Sequence, residues 1–157
     1  MKCLNLELEK LVFKMKITKE NLRILYAKCN EKYFNGELGK CDFSIFPQNN
    51  PSFGWYNGRD DKYGRPNDKI WIGTCIEWTE DKLERVMVHE MIHMYNHRAE
   101  KKKWKGLLGH GKCFRKHCKR IKREFGIDAL YKNDLEYINK EFSPKAWDRF
   151  LFWLIDR

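Results

Sequence analysis

Hydrophobic side chains recur at helical spacing early in the chain. The periodic region begins at Thr18, a residue type that caps helices, and stops at Asn35 and Gly36. The apolar positions between these ends fall on one face of a helix. They are Leu22, Leu25, Tyr26, Cys29, Tyr33 and Phe34. The pattern therefore predicts an amphipathic first helix.

Three further helices are predicted towards the C-terminus. A long one runs from about Thr79 to Arg98, and another runs from about His110 to Phe125 and stops at Gly126. A terminal helix is predicted from about Ser143, where Pro144 suits the first turn.

Between the first and second helices, three short segments have strand character. They are CDFSIF (41–46), SFGWYN (52–57) and KIWIGTCI (69–76), and turn-forming residues separate them. We predict a small three-stranded antiparallel sheet packed on helices, which is an α+β fold. The whole chain, residues 1–157, is predicted to be one domain, with a core at about 18–125 and an aromatic helical extension at 126–157.

The composition supports a folded chain with affinity for polyanions. The 157 residues are 42% hydrophobic and 15% aromatic, enough for one core and against disorder. Lysine and arginine outnumber the acidic residues by 32 to 22, and the formal charge of +10 favours contact with nucleic acid.

Targeting signals and paired cysteines are missing from the sequence. The first residues alternate apolar and charged side chains, unlike a signal peptide, and no run is long enough to span a membrane. An intracellular location is expected, in cytoplasm, nucleus or nucleoid.

The six cysteines form no CxxC pair, so we expect reduced, mostly buried thiols and no zinc ribbon.

The second helix contains the sequence HEMIH. His89 and His93 are four residues apart, so both imidazoles project from one face and can hold one zinc ion. Glu90 beside them suits a general base that takes a proton from zinc-activated water. So short a motif also occurs by chance. This helix, however, is apolar nearly all round, and burying three polar groups is costly unless a metal or polar partner offsets the cost.

A catalytic zinc needs a third protein ligand, and the sequence offers few. His97 lies one turn beyond His93, but three ligands spaced four residues apart diverge along a straight helix. His110 stands between two glycines at the start of the next helix and is better placed. His117 is interpreted as a core histidine or one that supports a ligand. Asn96 breaks the metzincin pattern.

Four motifs together resemble the SprT-like (Spartan-type) zinc metallopeptidase domain family. They are YFNGEL, FGWY, HEMIH and GHGKCFRKHCKRI, and the resemblance runs from about residue 24 to 121. It implies one zinc ion on His89, His93 and His110, with Glu90 as general base in a zincin-like fold. It also implies proteolysis of DNA-bound or DNA-crosslinked proteins, as in crosslink repair. Unlike many relatives, this chain has no cysteine-rich zinc ribbon and has a basic connection before His110.

Such a peptidase needs a strand that binds substrate and a group that stabilises an oxyanion, and the sequence offers candidates for both. An edge strand could hydrogen-bond an extended substrate, and the segment 69–76 is the candidate. An oxyanion-stabilising donor is also needed, and Tyr95, Tyr131 and His117 are equivalent candidates from sequence alone.

A cationic stripe with one tryptophan is the candidate nucleic-acid surface. No acidic residue occurs from 101 to 123, and one face of the predicted third helix is basic. Such a surface suits sequence-independent contact with single- or double-stranded DNA, although solubility alone could also explain it. The candidate residues are Lys101, Lys102, Lys103, Trp104, Lys105, Lys112, Arg115, Lys116, Lys119, Lys122 and Arg123.

Two other functions stay open from the sequence. The chain could be a nucleic-acid-binding zinc module without proteolytic activity, or a protease unconnected with nucleic acid. The aromatic cluster of Trp147, Phe150, Phe152 and Trp153 is interpreted as core, with a docking surface as the alternative.

Overall fold

The first helix forms where the sequence predicts it. A computed structural model describes residues 16–47, 49–50, 52–100 and 110–130. Helix α1 spans Lys19–Phe34, and the Thr18 side chain accepts a hydrogen bond from the Asn21 N–H at its start. It ends at Asn35, whose positive φ of 53° closes the helix. The predicted C-terminal helix and its aromatic cluster lie outside the described residues.

The sheet has the three predicted strands but is mixed rather than antiparallel. Strands β1 (Cys41–Ile45), β2 (Gly54–Asp60) and β3 (Pro66–Ile72) lie in the order β1-β3-β2. β2 and β3 form an antiparallel pair, whereas β1 runs parallel to β3. The prediction was wrong because it assumed that consecutive strands pair, and here β1 and β2 are separated by β3.

The central position of β3 follows from its side chains. Ile70 and Ile72 are fully buried on the face that packs towards the helices, and the backbone is paired on both sides. An internal strand has no free edge for a peptide. The prediction that the segment 69–76 binds substrate as an edge strand is therefore wrong.

Helix α2 spans Glu80–Arg98 and lies at the centre of the fold. It packs against β2, α1 and α3, and ten of its residues are buried. Helix α3 spans Lys112–Phe125, so it begins two residues later than predicted, after Gly111. His110 is thus placed just before the helix rather than in its first turn. No helix in the described ranges has the length and apolar character to cross a membrane.

The N-terminal cap of α2 should contribute measurably to stability. The Thr79 side chain accepts a hydrogen bond of 3.2 Å from the Lys82 N–H, a group with no partner inside the helix. Thr79→Ala should lower the free energy of unfolding by about 1 kcal/mol in urea titrations. Thr79→Ser keeps the acceptor and should stay close to the native value. An equal loss in both variants would contradict the role of this cap.

Candidate metal centre

The two histidines and the glutamate of HEMIH are buried in the middle of α2. His89, Glu90 and His93 are 7%, 3% and 6% exposed. One helical turn separates the histidines, and their Nε2 atoms lie 3.3 Å apart. The helix thus presents two ring nitrogens to one point, as the spacing predicts.

His110 brings a third ring nitrogen to the same point. Its Nε2 lies 3.0 Å from Nε2 of His89, and ligand atoms of all three histidines lie within 4.8 Å of one another. The Phe114 ring, on the first turn of α3, packs on all three imidazoles. Docking of α3 against α2 therefore brings together the three histidines, whose role as zinc ligands stays a prediction.

Hydrogen bonding and burial leave these imidazoles ready to donate lone pairs. His89 Nδ1 lies 2.8 Å from the carbonyl oxygen of Ala129, so Nδ1 carries the proton and Nε2 holds the lone pair. Burial, together with positive charge on His89 and His110, lowers the pKa of His93 to about 2, so His93 is neutral. Three imidazoles, one of them oriented by an outer hydrogen bond, are a donor set that fits zinc.

Glu90 is held beside the histidines by the edge strand β2. The backbone N–H of Tyr56 donates to its carboxylate. Burial raises the pKa of Glu90 to about 8, and the Tyr56 N–H opposes this rise. Gly54 makes room for the side chain, because a Cβ there would lie 2.6 Å from Glu90 Oε1. Sequence analysis missed both β2 residues, although the glycine of FGWY was a visible signal.

His97 lies apart from this cluster. Its Nδ1 lies 2.8 Å from the hydroxyl oxygen of Tyr56, which donates to Asp68. The carboxylate of Asp68 also accepts a hydrogen bond from Arg98. The geometry thus favours His110 over His97 as the third ligand, because His110 lies against His89 whereas His97 lies against Tyr56.

The oxyanion candidates are engaged with other groups. The Tyr95 hydroxyl donates to Glu37 over 3.0 Å, and Nε2 of His117 lies 2.9 Å from Glu100. Tyr131 lies outside the described residues. His117 is buried, as predicted for a core or supporting histidine, and its ring packs edge-on against Tyr95.

The described part of the cationic stripe lies on α3. Lys112, Lys116 and Lys119 are exposed and Arg115 is half-buried. Lys122 and Arg123 are also exposed, but they form ion pairs with Asp128 and Glu124 respectively, acidic residues just beyond the stripe. Residues 101–105 of the stripe lie outside the described part. The charge that α3 can offer to a polyanion is therefore concentrated in its first two turns.

The fold and the three-histidine cluster agree with a zinc metallopeptidase-like domain. A comparison with profiles of known families matches residues 22–135 to the SprT-like family. The match covers most of the chain, and the protein belongs to the SprT-like family. No curated protein matches the chain. The resemblance drawn from the four sequence motifs is confirmed.

The packing of Glu90 against β2 gives a test of this geometry. Gly54→Ala places a methyl group against the carboxylate and against Val86, so Glu90 must move. If Glu90 is the general base, peptide hydrolysis should fall at least about 10-fold while zinc content is kept, because small displacements of a catalytic group are costly. Gly39→Ala is the control, since a Cβ there meets nothing within 4 Å. Full activity of Gly54→Ala would contradict the proposed position of the base.

Proposed function

We propose that this chain is a zinc-dependent endopeptidase that acts on DNA-associated or DNA-crosslinked proteins. The observation that carries the proposal is the convergence of three imidazole nitrogens next to a buried glutamate. Membership of the SprT-like family supports the same class of activity. His89, His93 and His110 are the proposed ligands of one zinc ion.

The chemistry divides between the metal and the protein. Zinc, when bound, supplies a Lewis acid that polarises a peptide carbonyl and acidifies water. Glu90 accepts the proton of the attacking water and returns it to the leaving amine. Its raised pKa suits a group that must exchange a proton near neutral pH. The carbonyl of Ala129 holds the His89 ring in the orientation that presents Nε2.

The outer edge of β2 is the proposed position of an extended substrate. Among the described strands β2 is an outer one, and Tyr56 directs its backbone N–H to Glu90. A peptide added alongside this strand would lie next to the general base. The edge-strand role is thus proposed for β2 in place of the segment 69–76.

Glu90→Gln separates catalysis from metal binding. The amide keeps the size of the side chain but cannot accept the proton, so hydrolysis of a histone should fall at least about 100-fold with zinc content unchanged. Glu31→Gln makes the same chemical change on the exposed face of α1 and should keep full activity. Cleavage that needs Glu90 and rises with single-stranded DNA supports both parts of the proposal. Cleavage indifferent to DNA would remove the DNA part, and zinc-bound protein without cleavage would favour the non-proteolytic zinc module.

Contact with DNA is proposed for the start of α3. Its support is the group of exposed lysines without acidic partners among the described residues, Lys112, Lys116 and Lys119. Phosphate contacts of this kind release counterions, which makes binding independent of sequence and dependent on salt.

A triple lysine variant tests this surface. Replacing Lys112, Lys116 and Lys119 by alanine should weaken binding to single- and double-stranded DNA. The slope of log affinity against log salt should fall by about 2 to 3, because about three phosphate contacts are lost. The matched control replaces Lys19, Arg23 and Lys28, three exposed cations of α1. An equal loss in both triple variants would mean that net charge, rather than this surface, governs binding.

A further inference from the structure

A second cluster of metal-ligating side chains lies at the junction of α2 and α3. It consists of Glu100, Cys113 and His117, none of which belongs to the three-histidine site. One ligand atom from each residue lies within 4.8 Å of the others. The proposed peptidase chemistry uses none of the three.

Local structure explains why these side chains meet. Cys113 and His117 are four residues apart on α3, so they project from the same face of the helix. Glu100 follows the C-cap of α2, and its backbone N–H donates to the carbonyl of Tyr95. The end of one helix thus faces the first turns of the next.

The carboxylate of Glu100 is shared between the other two residues. Its Oε1 lies 2.9 Å from Nε2 of His117, and its Oε2 is in close contact with Sγ of Cys113. The His117 and Glu100 side chains are 9% and 22% exposed. A thiol, an imidazole and a carboxylate that face one point are donors of a cation site, and their ligand atoms all lie within 4.8 Å of one another.

The ring of His117 is oriented by its Nε2 atom. Its Nδ1 atom is buried and has no hydrogen-bond partner among the described residues, whereas Nε2 faces the Glu100 carboxylate. Nε2 is therefore the atom that could bind a metal ion shared with Glu100 and Cys113.

We propose that Glu100, Cys113 and His117 bind a second divalent metal ion of the zinc type. Thiolate, imidazole and carboxylate are the donors that zinc takes, and the thiolate disfavours magnesium and calcium. The thiol releases its proton on binding. The two negative ligands then balance the charge of the ion, which suits a site next to the lysines of α3. The proposal does not depend on the peptidase activity.

The consequence of this site is a clamp between the two helices. Glu100 lies at the end of α2, and Cys113 and His117 lie on α3, so a shared ion would link the two helices. His110 lies three residues before Cys113. The second ion therefore restricts the backbone that carries the third histidine of the first site.

Cobalt replacement distinguishes the two sites, because only the second contains a cysteine. The metal-free chain is titrated with Co²⁺ while the near-ultraviolet charge-transfer absorption of a thiolate bound to cobalt is followed. The native chain should develop this absorption and bind one more ion than Cys113→Ser, which should lack it. Cys118→Ala removes a buried cysteine of the same helix and should keep both properties. The absorption should also persist in the His89→Ala, His93→Ala double variant, where the first site is lost.

Two results would overturn the proposal. One is a native chain that shows no thiolate-to-cobalt absorption, which would leave a hydrogen-bonded Cys113, Glu100 and His117 triad. The other is a Cys113→Ser variant that is folded by circular dichroism and binds as much metal as the native chain. If Cys113→Ser does not fold, Glu100→Gln replaces it, and the same loss of one ion is expected.

Discussion

The burial of two imidazoles and a carboxyl group inside α2 is the constraint on which the rest of the structure depends. An apolar helix of this kind stabilises a core, but each buried polar group without a partner costs on the order of 1 to 3 kcal/mol. His89 is satisfied by the carbonyl of Ala129, and Glu90 by the N–H of Tyr56. The hydrogen-bond partners of these buried side chains thus come from β2, before α2, and from Ala129, after it.

This requirement also accounts for the arrangement of the sheet. β2 lies at the edge of the described sheet, where its Tyr56 N–H is directed to Glu90. The more apolar β3 then takes the centre, where Ile70 and Ile72 are fully buried. Among the described strands, β1 pairs with the other side of β3, and it runs parallel to it.

The sequence predicted local features well and non-local ones poorly. Helical periodicity and cap residues located α1 and α2 to within a residue, because spacing and capping act over one or two turns. Glycines around His110 indicated its approach to α2, and the structure brings its ring to His89. The strand order and the roles of Gly54 and Ala129 depend on contacts between distant segments. The glycine of FGWY indicates a close approach but not the side chain that it faces, and no pattern around Ala129 indicates its contact with His89, so these contacts are known only from the fold.

Two polar clusters lie where α2 meets α3, the three-histidine cluster and the cluster of Glu100, Cys113 and His117. The spacing of residues on α3 explains why they stay separate. Phe114 packs on His89, His93 and His110. Its neighbour Cys113 and the next-turn His117 meet Glu100 instead. Adjacent residues on a helix point about 100° apart, so a single turn of α3 can serve two sites. A movement of this turn would shift Phe114 against the three histidines and, at the same time, Cys113 and His117 against Glu100.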